Sequence, residues 1–334
     1  MINLGIDGFG GDAGPKEIVK AAVKYAKDNK NVKIFIYGDI DDIYFSCKDL
    51  DIDIKKYLNI EIVDCKEKIE VDEHPVFALR TKKNSSIYIA GEDLNNDKID
   101  AFISSGSTGV LLALAKLYIK CLNGIDRPVI ATIIPTKIGK TLLLDSGANM
   151  DSKPEWLHSY ATLGVQYAKG VFKNEKPKVG LLNVGVEETK GNNLILETYK
   201  LLKEDNNINF VGNVEARDIP FGVVDVVVSD AFNGNVFLKT YEGTAKVLFE
   251  LIKENITKTF LSKIGALLIK NSLKQMLKSY DATNYGGAPL LGAKKLIIKC
   301  HGNAKQKELV NALYQASEFV NSDFNKNFIN EFGE

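Results

Sequence analysis

The sequence predicts an α/β fold in which a mainly parallel sheet is covered by helices on both faces. Short runs of apolar and β-branched residues alternate with helical patterns along almost the whole chain. The chain has 334 residues, of which 45% are hydrophobic, so it can bury a large core. The predicted strands also end in Asp, Ser, Asn or Gly, which form turns and cap helices.

The predicted elements follow one another in a regular order. The apolar runs predict strands at 2–6, 32–37, 101–103, 129–134, 141–144, 179–182, 209–211, 223–228 and 296–299. Helical patterns predict helices at 15–27, 107–119 and 154–168, and another from residue 194 onward. No internal repeat or low-complexity linker interrupts this order. We therefore expect a single domain over residues 1–334, although the length alone fits two domains equally well.

Composition and charge exclude several classes of protein. Lys and Arg total 43, as do Asp and Glu, which argues against nucleic-acid binding because that leaves a basic footprint. The cysteines form no CxxC pair and the histidines lack neighbours that suit a metal site, so we expect reduced thiols and no metal. The first residues lack the pattern of a signal peptide, and no apolar run approaches about 18 residues. We therefore expect a cytoplasmic protein.

The connection between strand 179–182 and the next helix is the most informative stretch of the chain. Residues 183–192 carry two adjacent carboxylates, Glu187 and Glu188, together with a hydroxyl, the ammonium of Lys190 and two glycines. A strand-to-helix turn needs only a turn residue and a cap, whereas α/β proteins place ligands in loops at strand ends. We expect this loop to form one wall of a ligand site.

Other strand exits are polar as well. In a parallel sheet most of these exits gather at one edge, so we expect a shared site there. Any single exit also suits a turn or a helix cap. The exits contribute Asp7, Gly10, Gly11, Asp12 and Asn149 as candidate substrate-loop residues, in addition to Glu187 and Glu188. The flexible loop before the last strand adds Gly286 and Gly287.

The loop after strand 101–103 predicts an anion site. It lies at the N-terminus of an apolar helix, where free N–H groups and the helix dipole favour a phosphate. Its hydroxyls exceed the one that a helix cap needs. The residues are Ser105, Gly106, Ser107 and Thr108.

Two further loops have competing interpretations. Arg80 and Lys83 precede a helix start and suit an anion, although such a charge run is often only a solvated surface. Residues 8–13 match the dinucleotide fingerprint G-x-G-x-x-A, but Gly14 and Pro15 widen this loop ahead of the helix. Nicotinamide binding is therefore an alternative that fits poorly.

Cys300 and His301 follow the last predicted strand. Adjacent side chains of a strand point to opposite faces, so the two do not form a dyad if the strand continues. His301 alone is a candidate acid or base near neutral pH, with a purely structural role as the alternative.

Residues 255–280 differ from the rest of the chain because they contain five lysines and no acidic residue. Their apolar residues have helical spacing, and basic amphipathic helices commonly lie on anionic membrane surfaces. We expect a helical excursion at about 246–284. Its membrane-facing candidates are Leu261, Ile264, Leu267 and Leu268, and packing against the body or a dimer partner is the alternative.

Together these loops resemble those of the bacterial phosphate acyltransferase family, which converts acyl-(acyl carrier protein) and inorganic phosphate to acyl phosphate. The matching stretches keep their order along the chain. They are 7–12, 80–86, 105–109, 126–128, 147–149, 153–155, 187–192, 212–215, 234–236, 286–292 and 301–302. One departure is Ser107, which stands where the family commonly has Asn.

The resemblance implies a single catalytic domain with a three-layer α/β/α fold of the isocitrate dehydrogenase and phosphotransacetylase type. It implies a homodimer, no cofactor, and peripheral association with the inner face of the cell membrane. It also implies an early step of phospholipid synthesis, in which acyl phosphate passes to a membrane-bound glycerol-3-phosphate acyltransferase.

We predict roles for the candidate residues in this reaction. We expect a phosphate oxygen to attack the thioester, with Ser105 to Thr108 cradling the phosphate and Lys190 and Lys83 contacting phosphate or oxyanion. Asn192 and Asn213 would orient the carbonyl, and His301 would transfer a proton. The sequence leaves the role of Glu187 and Glu188 open, and pairing with Lys190 or Arg217 is one interpretation. The alternatives are an NAD-dependent dehydrogenase and a non-enzymatic membrane-surface scaffold.

Overall fold

The computed structural model describes residues 1–12, 14–280 and 282–322. Ala13, which completes the glycine-rich fingerprint, lies outside these described residues. The described residues form twelve strands. These are β1 (Ile2–Asp7), β2 (Val32–Gly38), β3 (Ile60–Asp64), β4 (Ala101–Ser104), β5 (Val129–Ile130), β6 (Thr132–Thr136), β7 (Gly139–Leu144), β8 (Val179–Asn183), β9 (Phe210–Glu215), β10 (Val226–Val228), β11 (Ala288–Leu291) and β12 (Leu296–Lys299).

Helices cover both sheets. Those in the described residues are α1 (Gly14–Asp28), α2 (Ile40–Asp49), α3 (Pro75–Thr81), α4 (Ser86–Asn95), α5 (Thr108–Leu114), α6 (Pro154–Phe172), α7 (Asn193–Glu204), α8 (Ala231–Ile256), α9 (Phe260–Leu268), α10 (Lys270–Ser279) and α11 (Gln306–Asn321). A π-helical turn, Ala115–Ile119, continues α5. Short 3-10 turns lie at Ile54–Lys56, Ile219–Phe221 and Ala282–Tyr285.

The strands divide between two sheets. The first has seven strands in the order β3-β2-β1-β4-β12-β11-β5, and the second has five in the order β6-β7-β10-β8-β9. Neighbours are parallel, except that β11 is antiparallel to β12 and β5, and β6 is antiparallel to β7. All residues of β4 and β10 are buried, as expected for parallel strands covered on both faces.

The registers around β4 position the functional loops. Ala101 of β4 lies beside Leu4 of β1 on one side and Leu296 of β12 on the other. The same register places Lys299 beside Ser104. Because β1, β4 and β12 are parallel, the loops that follow them leave the sheet at the same edge.

The predicted α/β class with mainly parallel strands is confirmed. The predicted strand 129–134 is divided at Ala131, so that Val129–Ile130 joins the first sheet and Thr132–Thr136 the second. The predicted strand 223–228 is shortened to Val226–Val228. Apolar periodicity shows that such residues are buried, but it does not show which strands pair.

Helices α8, α9 and α10 form an arm, residues 231–279, which spans most of the predicted excursion. Asp230 caps α8 by accepting the Asn233 N–H at 2.9 Å, and Tyr241 donates to the Pro135 carbonyl at 2.7 Å. Further along, none of the residues of α9 is buried. Within the described residues, no helix combines the length and apolar character needed to cross a bilayer.

Candidate active site

Asp7 joins three elements at the edge of the first sheet. Its carboxylate accepts hydrogen bonds from Ser86 Oγ at 2.7 Å, Ser104 Oγ at 2.6 Å and the Phe9 N–H at 3.1 Å. Only 1% of Asp7 is exposed. Burial raises its pKa, and the hydrogen bonds oppose that rise. The predicted substrate-loop residue Asp7 therefore holds the ends of β1 and β4 against the start of α4.

The predicted phosphate loop follows Ser104. Ser104 Oγ accepts the Gly106 N–H at 2.9 Å, which shapes the turn. Ser105 is buried, and its Oγ has no hydrogen-bond partner among the described residues. Ser107 occupies the cap position of α5 without a side-chain cap bond, and Thr108 begins the helix. The hydroxyls of Ser105 and Ser107 are thus not used to cap the helix, and the phosphate-binding role of this loop stays a prediction.

The glycine loop after β1 packs against two other exits. Gly11 has a φ of 77°, and a Cβ there would lie 2.1 Å from the Gly302 carbonyl oxygen. The Asp12 N–H donates to that oxygen at 2.6 Å. A Cβ at Gly10 would lie 2.9 Å from the Ser105 nitrogen. The exits of β1, β4 and β12 therefore meet, as the parallel arrangement predicts.

Asp145, at the exit of β7, organises the corresponding edge of the second sheet. It is fully buried and accepts the N–H groups of Gly147, Ala148 and Asn149 at 3.0, 2.8 and 2.9 Å. Burial raises its pKa, and these bonds oppose the rise. Asn149 Nδ2 also donates to the Pro128 carbonyl at 3.0 Å. The amide of Asn149 thus lies in a turn network that holds the loop after β7.

A polar cavity of about 190 Å³ lies between the two groups of exits. Asn235 of α8 donates to the Ser146 carbonyl at 2.9 Å, and Ser146 lies 2.6 Å from the Thr132 hydroxyl. The structure therefore brings together four predicted residues, Thr108, Gly286, Gly287 and His301. It adds residues for which the sequence predicted no role, although Asn235 lies in the matching stretch 234–236. They are Thr132, Ser146, Asn235, Lys239, Glu242 and Lys299.

His301 in this cavity is held by two carboxylates. Its Nδ1 lies 2.9 Å from Glu308 Oε1, and its Nε2 lies 3.7 Å from Glu242 Oε1. Hydrogen bonding to Glu242 and Glu308 raises the pKa of His301 to about 10. At neutral pH the ring is therefore an imidazolium, which suits an anion or a developing oxyanion better than it suits proton abstraction.

The sequence predicted no role for Lys299. It is the charged residue at the end of an apolar strand, a position that is usually exposed. Its Nζ donates to the Cys300 carbonyl and reaches the Ser105 carbonyl at 3.5 Å. Burial lowers its pKa. Its position at a strand exit, two residues before the candidate His301, is the sequence feature that could have indicated a place in the site.

The loop of residues 183–192 connects β8 to α7, and most of its residues are exposed. Lys190 is exposed, and its carbonyl accepts from Asn183 Nδ2 at 3.0 Å. Asn192 caps α7 through the Ile195 N–H at 3.0 Å. Asn213 Nδ2 donates to the Glu187 carbonyl at 2.9 Å. None of the described residues 183–192 lines the polar cavity, so the catalytic roles of Lys190, Asn192 and Asn213 stay predictions.

The expected pairing of Glu188 with Lys190 or Arg217 is wrong. Glu188 instead forms an ion pair with Lys203 of α7 at 2.8 Å. Arg217 pairs with Glu215 at 2.7 Å. Lys203 lies in the last turn of α7, far from the loop in sequence, so the motif alone did not indicate it. The side chain of Glu187 is exposed.

The predicted cations Arg80 and Lys83 lie apart from the cavity. Lys83 Nζ sits 3.8 Å from the centre of the Tyr88 ring and 3.2 Å from the Tyr118 hydroxyl. Arg80 is exposed near the end of α3. Neither is among the described residues that line the polar cavity, so their phosphate contact stays a prediction.

An apolar groove of about 830 Å³ lies along the arm and borders the polar cavity. Four residues line both spaces, namely Ile133, Leu238, Glu242 and His301. The rest of the groove is mainly apolar. Its lining includes Ile134, Tyr241, Phe249, Ile252, Ile256, Leu273, Met276 and Leu277. The site therefore combines a small cationic pocket with a long apolar cleft.

The membrane-facing candidates lie on α9. The exposed fractions of Leu261, Ile264, Leu267 and Leu268 are 79%, 45%, 68% and 81%. Several exposed apolar side chains on one short helix indicate an interaction surface that another molecule covers when the protein functions.

Comparison with known proteins places this site in a family. The family model described as "Fatty acid synthesis protein" matches residues 2–327. A phosphate acyltransferase from Thermoanaerobacter pseudethanolicus is 44% identical over 322 residues, which cover 96% of this chain and 95% of its own. The chain belongs to the phosphate acyltransferase family. The family member from Clostridium acetobutylicum is 45% identical over 317 residues, covering 94% of this chain and 93% of its own.

Membership of the phosphate acyltransferase family confirms the relationship that the ordered loop motifs predicted. It also confirms the predicted class of protein, an acyl-transferring enzyme, since the match runs over nearly the whole length of these relatives.

Solved structures with low sequence identity share the fold of this phosphate acyltransferase family member. EutD phosphotransacetylase from Staphylococcus aureus has a TM-score of 0.62 at 17% identity, covering 96% of this chain and 94% of its own. A 4-hydroxythreonine-4-phosphate dehydrogenase from Burkholderia phymatum has a TM-score of 0.52 at 14% identity, with coverages of 95% and 98%. These likenesses confirm the predicted fold type.

Proposed function

We propose that the protein transfers the acyl group of an acyl-(acyl carrier protein) thioester to inorganic phosphate. The products are acyl phosphate and the free carrier thiol. The observation that carries this proposal is the junction of the polar cavity with the apolar groove at Ile133, Leu238, Glu242 and His301. Family membership supports the acyl transfer, and the junction supports a substrate with a polar reacting end and a long apolar chain.

The two spaces suit the two parts of such a substrate. The groove of about 830 Å³ offers Phe249, Ile252 and Met276 among its apolar walls, which favour the burial of an acyl chain. The cavity of about 190 Å³ offers cationic groups and hydroxyls that favour a phosphate. A thioester carbonyl at the junction would then lie beside the phosphate.

The chemistry needs positioning more than proton transfer. A phosphate oxygen forms a bond to the thioester carbon, the carbonyl oxygen gains negative charge, and the C–S bond then breaks. The electron pair leaves on sulfur as a thiolate, which is a good leaving group. Nδ1 of His301 is engaged by Glu308, so the Nε2–H, which is 3.7 Å from Glu242, would be the group that donates to the developing oxyanion. Thr108 and Ser146 supply hydroxyls at the same cavity.

The proposal is tested by the release of carrier thiol. The purified protein is incubated with acyl-(acyl carrier protein), with and without inorganic phosphate, and the free thiol is measured with a thiol reagent. We expect release that depends on phosphate, with acyl phosphate trapped as its hydroxamate. Sulfate at equal ionic strength is the control. Release that is equal without phosphate would show a thioesterase and would overturn the proposal.

The protein would work at the inner face of the cell membrane as a cytoplasmic, peripherally bound enzyme. Lys258, Lys263 and Lys270 flank the exposed leucines of α9 and would attract anionic lipid headgroups. We further propose that a homodimer passes acyl phosphate to a membrane-bound glycerol-3-phosphate acyltransferase, an early step of phospholipid synthesis. Light scattering of the purified protein tests the dimer: a mass near twice 36.9 kDa is expected.

A further inference from the structure

Lys299 is held in an unusual position for a lysine. It is the last residue of β12, beside Ser104 in the parallel ladder, and its side chain is mostly buried. Its Nζ rests on two backbone carbonyls, those of Ser105 and Cys300. The ammonium is thereby fixed between the predicted phosphate loop and the wall of the polar cavity.

The charge of Lys299 has no anionic partner close by. Within residues 1–12, 14–280 and 282–322, no carboxylate oxygen lies within 4.0 Å of its Nζ. Buried charges are normally paired, because carbonyl dipoles replace hydration only in part. The pKa of Lys299 is lowered by burial, while the more distant carboxylates of Glu308 and Asp7 oppose the fall. A ligand anion in the cavity would complete the environment of this ammonium.

A second group beside it also lacks a partner. Ser105 is 5% exposed, and its Oγ makes no hydrogen bond within the described part of the chain. Ser105 also supplies the carbonyl that Lys299 reaches at 3.5 Å. The cavity is lined by three cations, Lys239, Lys299 and His301, and by the carboxylate of Glu242. Glu308, which contacts His301 at 2.9 Å, adds a second carboxylate next to the cavity. The local balance of charge therefore favours an anion.

We propose that Lys299 is a catalytic residue that binds the attacking inorganic phosphate from the β12 side of the polar cavity. The inference rests on the proposed function, because its kinetic test measures acyl transfer to phosphate. The ammonium donates to phosphate oxygens, and its two carbonyl contacts keep it aimed at them. Lys299 thereby holds the nucleophile in the cavity that Thr108 also lines, without taking a proton from it.

The kinetic test compares Lys299→Met with Lys299→Arg. Loss of one charge-assisted contact should raise the KM for phosphate by about 10-fold or more in Lys299→Met, whereas the KM for acyl-(acyl carrier protein) should change less than about threefold. Lys299→Arg keeps the cation and should recover part of the phosphate affinity. A rise in the KM for the carrier substrate alone would assign Lys299 to the thioester or the carrier and would overturn the proposal.

A binding test is independent of the reaction. Inorganic phosphate should raise the thermal unfolding midpoint of the wild-type protein, because a ligand of the folded state stabilises it. That increase should be lost in Lys299→Met and kept in Lys294→Met. Lys294 is an exposed lysine just before the start of β12. Equal protection of both variants would overturn the proposal even if acyl transfer is confirmed. Protection that depends on Lys299 would support it even if acyl transfer is not observed.

Discussion

His301 Nδ1 and the backbone N–H of His301 both lie 2.9 Å from the same oxygen, Oε1 of Glu308. This double contact fixes the ring at the junction of the cavity and the groove. Because Glu308 lies on α11 and Glu242 on α8, the imidazolium also connects the arm to the body of the protein.

We expect His301 to remain protonated through the range in which an ordinary histidine titrates, about pH 5 to 8. Its pKa is raised from 6.5 to about 10 by Glu242 and Glu308. The stabilisation is therefore complete below pH 6.5 and is lost as the pH rises to about 10. NMR titration of the Cε1–H resonance, assigned with His301→Gln, measures this directly.

The matched variants for this prediction lie on one helix. Glu308→Gln should lower the pKa of His301 and move its titration toward neutral pH, whereas Glu318→Gln, an exposed position of α11, should leave it in place. A wild-type resonance that titrates near pH 6.5 would contradict the assigned ion pairs.

Asp7 should be a stability determinant as well as a part of the site. Asp7→Asn replaces an acceptor of the Ser104 hydroxyl with a donor, and Ser104 Oγ already accepts the Gly106 N–H. One hydroxyl proton then loses its partner. We expect the free energy of unfolding to fall by about 1–3 kcal/mol, as measured by urea denaturation.

The control for Asp7 is its exposed neighbour in the same loop, Asp12. Asp12→Asn should change the free energy of unfolding by no more than about 0.5 kcal/mol. Equal effects of the two substitutions would show that burial of the Asp7 carboxylate does not matter to the fold.

The apolar residues of α9 should control membrane binding. Replacing Leu267 and Leu268, which are 68% and 81% exposed, with Gln removes two of the exposed apolar side chains of α9 that could enter a bilayer. We expect sedimentation with anionic liposomes to fall by about 10-fold or more, since each buried Leu side chain contributes about 1.5–3 kcal/mol. Acyl transfer to phosphate in solution should persist.

Leu58→Gln is the matched control. Leu58 is also highly exposed, at 95%, but it lies just before β3 of the first sheet and far from α9 in the sequence. It should bind liposomes as the wild type does. Unchanged binding of the Leu267 and Leu268 variant would leave the carrier protein or a dimer partner as the occupant of this surface.

The sequence predicted individual loops better than it predicted their neighbours in space. Asp7, Ser105 and His301 were found because polar strand exits are visible in one sequence and parallel exits converge. The division of residues 129–134 between two sheets was not visible, since strand pairing is a non-local property. For the same reason Lys299, buried against Ser105, looked like an ordinary lysine at the end of an apolar run.

Substitution of Lys190 tests whether a residue outside the polar cavity takes part in catalysis, as the loop motif predicts. It is exposed in the turn after β8, and its backbone N–H donates to the Glu187 carbonyl at 3.2 Å, so Lys190→Ala leaves the turn's hydrogen bonds in place. The free energy of unfolding should change by less than about 0.5 kcal/mol. If Lys190 contacts phosphate or the oxyanion, acyl-phosphate formation should fall by about 100-fold. Lys200→Ala, an exposed position of α7, should keep wild-type turnover. Near-wild-type turnover of Lys190→Ala would confine the chemistry to the cavity between the sheets, where Lys299 and His301 supply the cations.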